Sequence, residues 1–220
     1  MSISSPLAIA VLISGNGSNL QAIIDAIANG TLHAGIKVVI SNREQALGLQ
    51  RAQLAGIATE VIKADTAATR EEYDHLLTQC IDHYQVQLVV LAGFMRILSK
   101  DFVQHYQGRL INIHPSLLPL HPGLHTHEKA LAAGDKEQGA TIHFVNEEVD
   151  GGPIIIQGKC KILKEDTVET LQKKVHRIEH QIYPQVIEWY AKGRLKLEGK
   201  GVLFEDQLLP KKGKQMDFNF

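Results

Sequence analysis

The stretch Arg109–Gly123, RLINIHPSLLPLHPG, holds residue types that can polarise a carbonyl and move a proton. Leu110, Ile111 and Ile113 are apolar and read as a strand. Side chains alternate faces along a strand, so Asn112 and His114 share a face and leave together at its end. Pro115 biases His114 away from helix, and Pro119 and Pro122 keep the following loop irregular. An amide and an imidazole are thereby presented side by side. One can donate to an oxygen that gains negative charge, and the other can give and take a proton. A lone strand-end His-Pro more often only satisfies loop backbone groups, so the weight rests on what accompanies it.

Four other groups bear on the chemistry. The loop Ser14–Asn19, SGNGSN, sits between an apolar strand and a helix. Its glycines let the backbone approach an anion, and a helix N-terminus offers unpaired N–H groups. Leu20 stands where a dinucleotide fingerprint needs its third glycine, and no P-loop lysine follows, so the loop suits a phosphate monoester better than NAD or ATP. Asp150, in VDGGP, reads equally as a hairpin turn or as a carboxylate that keeps His114 protonated. Gln172, His176, Glu179 and Tyr183 form a polar stripe that reads first as a solvated helix face, with Glu179 a candidate acceptor for sugar hydroxyls. His121, His125, His127 and His143 raise the question of a metal, but no HExxH or Cys/His finger spacing is present, and none is expected.

The elements that position these residues follow from periodicity. Leu7–Ser14 reads as a strand buried on both faces. Helix Asn19–Asn29, strand Ile36–Ser41, helix Glu44–Ala55, strand Thr59–Ile62, helix Arg70–Tyr84, strand Leu88–Leu91 and a short helix Phe102–Tyr106 come next. Thr69 with Glu72 has the type and spacing of a capping box. The alternation predicts an α/β fold: a doubly wound, mostly parallel sheet with right-handed crossovers. In such sheets ligands sit beyond the carboxyl ends of strands, so Ser14–Asn19, Gly93–Leu98 and His114–Gly123 are expected to line one crevice. Beyond them come a helix His127–Ala133, an antiparallel edge hairpin of Thr141–Asn146 and Ile154–Leu163, and a last helix Thr167–Lys192 that Pro184 should kink. Gly199–Glu205 gives one small edge strand at most. One domain over 1–209 is expected, with 210–220 a mobile, polar tail.

Totals exclude some classes. With 220 residues, a net charge of −1 and 21% charged residues, nothing favours nucleic acid or a membrane surface, and small-molecule partners are expected. The N-terminus lacks a basic signal-peptide region, its apolar run is too short to span a bilayer, and a cytoplasmic protein is the default. Cys80 and Cys160 match no metal spacing and read as thiols in a reducing compartment.

The segments SGNGSNLQAIIDAI, VVLAGFMRILS, INIHPSLLP, PGLHTH and VDGGPII, in that order, closely resemble the phosphoribosylglycinamide formyltransferase family of purine synthesis. The resemblance runs from the first strand to the last helix. HPSLLP alone marks only the wider group of enzymes that use 10-formyltetrahydrofolate. The resemblance implies a Rossmann-like formyltransferase fold, with Asn112, His114 and Asp150 as the catalytic residues. It further implies that Gly17, Ser18 and Asn19 hold the substrate phosphate and Glu179 its ribose. Arg70, Met95, Arg96, Ile97, Leu98 and the loop Asn146, Glu147, Glu148, Val149, Asp150 would meet the folate. The cosubstrate would be 10-formyltetrahydrofolate, with no metal, and the protein a monomer or weak homodimer. Leu120 departs from the pattern, standing where many relatives place a basic residue. Two rival readings compete with this one: hydrolysis of 10-formyltetrahydrofolate or formyl transfer to an initiator tRNA, and a non-enzymatic sugar-phosphate-binding protein, which would have no need of Asn112, His114 and Asp150 together.

Overall fold

In the computed structural model, which describes residues 5–220, the apolar run Leu7–Ile13 forms strand β1, with every residue but Ala8 buried. Then come α1 (Ser18–Ala28), β2 (Ala34–Ser41), α2 (Leu47–Leu54), β3 (Thr59–Val61), a 3-10 turn at Ala64–Thr66, α3 (Arg70–His83), β4 (Leu88–Leu91) and α4 (Lys100–His105). They are followed by β5 (Leu110–His114), α5 (Thr126–Ala133), β6 (Glu137–Phe144), β7 (Ile154–Lys161) and α6 (Val168–Ala191). The last strands are β8 (Leu195–Glu198), β9 (Gly201–Phe204), β10 (Gln207–Leu208) and β11 (Lys214–Phe218). The chain divides into two units, Met1–Ile111 and Asn112–Phe220.

In the first unit the strand order is β4-β1-β2-β3, and these neighbours are parallel. Parallel neighbours need crossovers, which the intervening helices supply. On α3 the buried residues Tyr73, Leu77 and Ile81 recur every four positions. The capping box forms as its spacing predicts: Glu72 N donates to Thr69 Oγ1 at 3.1 Å, and Thr69 N donates to the Glu72 carboxylate at 3.3 Å. Helix α2 starts three residues later than predicted, because Ala46 N bonds Arg43 O in a turn.

In the second unit the order is β11-β7-β6-β5, with β6 and β7 antiparallel. The predicted hairpin is present, but it is not an edge. The polar composition of Pro210–Phe220 predicts a mobile tail, and here the structure differs: β11 pairs in parallel with β7 and takes the edge. Basic side chains hold the segment through aromatic faces. The Lys214 ammonium lies 4.1 Å from the Phe204 ring centre, and the Arg177 guanidinium lies 4.0 Å from that of Phe220. Where one edge strand was expected, β8, β9 and β10 form a small antiparallel sheet.

Strand β6 begins at Glu137 rather than Thr141, and glycine explains the early pairing. A Cβ on Gly139 would lie 1.9 Å from the Gly158 carbonyl oxygen, so the backbones run closer than a side chain permits. Helix α6 packs Leu171, Val175, Ile178, Ile182 and Val186 inward and continues through Pro184. Its polar stripe is not a solvated face: Gln172 is exposed and His176 half-buried, but Glu179 and Tyr183 are buried. Both cysteines are free thiols, Cys160 buried and Cys80 partly so.

Gly139→Ala is expected to cost about 3 kcal/mol or more, because the added methyl group meets backbone that cannot move alone. Thr69→Ala, which removes only a cap, is expected to cost about 1 kcal/mol. Urea unfolding of both variants checks the ranking, and a smaller loss at Gly139 contradicts the packing account.

Candidate active site

In the first unit, the loop before α1 is built on two glycines placed back to back. Gly17 caps α1 with φ of 74°, a left-handed conformation natural to glycine, and no side chain caps the helix. A Cβ at Gly17 would lie 2.6 Å from Gly48 Cα, and one at Gly48 would lie 2.4 Å from Ile13 Cδ1. Gly48 N donates to Gly15 O at 3.1 Å. Arg51 braces the loop from α2, donating from Nε to Asn16 O at 2.9 Å and from a terminal nitrogen to Asn16 Oδ1 at 3.1 Å. Gly17, Ser18 and Asn19 thus open a helix whose N-terminal positive end faces no capping side chain. Gly48 and Arg51 escaped the sequence reading, since neither lies in the loop motif.

One hydroxyl ties this loop to the next two strand ends. Ser14 Oγ donates to Asn42 Oδ1 at 2.6 Å and accepts from Met95 N at 2.7 Å. Ser14–Asn19 and Gly93–Leu98 therefore meet, as strand-end loops of a parallel sheet should. Met95 and Ile97 are exposed, and Leu98 is half-buried. The Arg96 guanidinium lies 3.8 Å from the Tyr73 ring centre. The buried Asp74 carboxylate accepts from Ser99 N at the loop's end, and burial raises its pKa. Arg70 is the first residue of α3.

The second unit gathers Asn112, His114 and Asp150. His114 is buried, and its Nδ1 lies 3.4 Å from Asp150 Oδ2. Its Nε2 lies 3.0 Å from the main-chain oxygen of His121. A carbonyl and a carboxylate only accept, so a ring carrying both N–H groups, the imidazolium, satisfies both partners. Asp150 holds a left-handed φ of 54° in the loop between β6 and β7, and its carboxylate stands beside the His114 ring. Its Oδ2 also accepts from Gly123 N at 2.9 Å. Gly152 lets the turn pass close to β6: a Cβ there would lie 1.7 Å from Phe144 O. Asn146 Oδ1 accepts from Glu148 N at 3.1 Å, and Val149 is exposed at the tip.

His143 is the residue that sequence reasoning undervalued, counting it only among many histidines. Its Nδ1 lies 2.9 Å from Phe144 O, so Nδ1 carries the proton. Burial lowers its pKa and keeps the ring neutral, which leaves Nε2 an acceptor. Asn112 Nδ2 is 3.2 Å from that nitrogen, so the amide must turn its NH2 toward His143. One N–H is used there, and the second remains for a ligand oxygen. His127, also buried, has its pKa lowered by burial and then by the imidazoles of His176 and His114. Burial thus disfavours charge on His143 and His127, the imidazoles that face His114. Glu179, buried on α6, raises the pKa of Tyr183 in addition to the larger effect of burial.

The loop after β5 is lashed to β6 and β7. Thr141 Oγ1 donates to Ser116 O at 2.6 Å and accepts from Leu118 N at 3.1 Å, and Gln157 Nε2 donates to Leu118 O at 2.7 Å. These buried bonds satisfy backbone groups that the proline-rich sequence cannot pair in a ladder. Among the described residues, no group of three or more His, Cys, Asp or Glu side chains is placed to hold a metal ion, and no helix is long and apolar enough to cross a membrane.

Comparison with known proteins adds an independent line. The sequence profile of the formyl transferase family matches residues 7–187. The chain is 52% identical over 209 residues to phosphoribosylglycinamide formyltransferase of Escherichia coli strain K12, covering 95% of this chain and 99% of that protein. It is 46% identical to the enzyme of the same name from Haemophilus influenzae, covering 93% and 97%. The solved phosphoribosylglycinamide formyltransferase of Coxiella burnetii, in complex with CHES, superposes with a TM-score of 0.94 at 52% identity, covering 96% of this chain and 99% of that one.

The neutral His143 makes stability pH-dependent. Its folded pKa lies below the ordinary value of 6.5, so its contribution is complete above that pH and is lost as the pH falls toward the folded pKa. Unfolding free energy is expected to fall by up to about 1.4 kcal/mol per pH unit from this ring alone, starting near pH 6.5. Urea melts across this window check it. His143→Gln should flatten the slope, and an equal slope in the variant refutes the assignment.

Proposed function

The chain belongs to the formyl transferase family, and on that premise we propose that it moves the formyl group of 10-formyltetrahydrofolate to the primary amine of phosphoribosylglycinamide. The products are the formylglycinamide ribonucleotide and tetrahydrofolate, a step of purine synthesis. The observation that carries the reading is His114, enclosed by two acceptors beside the oriented amide of Asn112.

The amine nitrogen attacks the formyl carbon, a C–N bond forms, and the carbonyl oxygen takes the negative charge. The second N–H of Asn112 donates to that oxygen, and the imidazolium of His114 stabilises it with its charge. One such donor is worth about 3 kcal/mol in related acyl chemistry. The 3.4 Å contact to Asp150 is the looser of the two His114 contacts, so Nδ1–H is the group that turns toward the oxygen. Asp150 accepts the proton lost by the attacking amine, directly or through water, and the same proton ends on N10 as its bond to the formyl carbon breaks. Atoms and charge balance without a covalent enzyme intermediate.

Binding roles follow the chemistry of each group. The N–H groups of Gly17, Ser18 and Asn19 take the substrate phosphate at the start of α1. Glu179 accepts from ribose hydroxyls. The exposed Met95 and Ile97, with Leu98, offer apolar contact to the folate ring, together with the loop Asn146–Asp150. Arg70 and Arg96 add positive charge for its carboxylates.

His114→Gln and Asp150→Asn are each expected to lower kcat about a hundredfold or more, while calorimetry still finds the phosphate substrate bound. Folate release is measured with and without phosphoribosylglycinamide. Release that needs no amine acceptor marks a hydrolase. A chain that binds the sugar phosphate but ignores folate is a sensor. Wild-type turnover in Asp150→Asn removes that carboxylate from the mechanism.

A further inference from the structure

His114 is held from two sides, and only one of them is a side chain. Asp150 supports Nδ1, while Nε2 rests on the main-chain oxygen of His121. That oxygen is useful only if its loop stays in place. The loop is conformationally costly: His121 has φ of 52° and His125 φ of 59°, left-handed values that disfavour side chains carrying a Cβ. Contacts on its carbonyls oppose this cost. Ser116 Oγ donates to Leu120 O at 2.6 Å, and Lys129 Nζ donates to Pro122 O at 3.1 Å. Between them, the His121 imidazole itself lies 2.6 Å from Asp135 Oδ2, just beyond the end of α5.

We propose that the hydrogen bond between His121 Nε2 and Asp135 positions His114, by fixing the main-chain carbonyl that accepts from His114 Nε2. The inference rests on the formyl-transfer reading, in which the charged His114 ring acts on the reacting oxygen. Asp135 is a positioning residue and takes no part in bond making. It anchors His121 Nε2, and the residue's own carbonyl then points at His114. The pair is partly buried, with side-chain exposures of 17% and 25%, so it is shielded enough to hold a geometry yet open to solvent at one edge. Other titratable groups also face His114: Asp150 from the β6–β7 turn, His143 from β6 and His127 from α5. The two imidazoles are neutral, so the acceptors that favour the charged ring are Asp150 and the His121 carbonyl. Loosening the latter removes one of two supports for the imidazolium.

Steady-state formyl transfer across the neutral and alkaline range tests this in the full chain, with Asp135→Asn, Asp135→Glu and His121→Phe. Asp135→Asn is expected to lower kcat about tenfold, well short of the loss of the acid itself, with both KM values within about twofold. The alkaline limb of its kcat profile moves to lower pH, because the imidazolium has lost an acceptor. Asp135→Glu restores most of kcat, as a carboxylate again accepts from His121 Nε2. His121→Phe keeps the carbonyl but drops the tether, and reproduces the loss should Asp135→Asn fail to fold. A purely structural role would lower the melting temperature and leave the limb unmoved. An unmoved alkaline limb in the folded variant, or a loss confined to KM, overturns the proposal. A wild-type chain that transfers no formyl group overturns the functional reading instead. In that case hydrogen exchange of the His114 Nε2–H, read by NMR, decides: faster exchange in Asp135→Asn supports the proposal and unchanged exchange overturns it.

Discussion

The second unit depends on one imidazole held between two acceptors. An imidazolium buried among other imidazoles is electrostatically awkward, because each neighbour is a competing site for the proton. Here burial disfavours charge on His143 and His127. Asp150 and the His121 carbonyl face the two nitrogens of His114. His143 donates its only proton to a carbonyl and spends its remaining lone pair on Asn112. Burial then disfavours a second proton on that ring. His143 faces the Phe144 carbonyl and, more distantly, Asp150 at 4.0 Å, yet burial outweighs both.

The first unit solves a different problem, that of exposing N–H groups without a competing acceptor. A serine or aspartate cap would occupy the start of α1, and glycine does not. Removing the side chain also lets Gly17 lie against Gly48, so the loop after β1 leans on the helix after β2. Arg51 then holds Asn16 at both its main-chain and side-chain oxygens. The loop's neighbours are close because two Cβ atoms are missing.

Periodicity made much of this legible in the chain itself. The two-residue spacing of Asn112 and His114, the apolar run of β1 and the Thr69–Glu72 cap are local patterns, and each appears in the structure as its spacing dictates. What was not legible depends on contacts distant in sequence. Asp150 lies 36 positions from His114, and an Asp-Gly pair in a turn is ambiguous until the partner ring is seen. His143 alternates correctly along β6 but has no distinguishing neighbour in the sequence. The stripe on α6 failed for a physical reason: polarity alone does not separate a face toward water from one that buries a carboxylate beside a phenol. Strand β11 was missed because lysine and glutamine dilute a five-residue pattern, and because the Phe204 ring that meets Lys214 belongs to another strand.

Two of the supports described here are main-chain oxygens, those of Phe144 and His121. Mutation replaces side chains and leaves a peptide carbonyl where it was. The direction of the Asn112 amide is therefore inherited from the backbone path of β6, through the proton that His143 must place on its Nδ1. Drift at position 144 can alter bulk without disturbing that direction. A shift of the strand by one residue would reverse it, although every side chain of the site were kept.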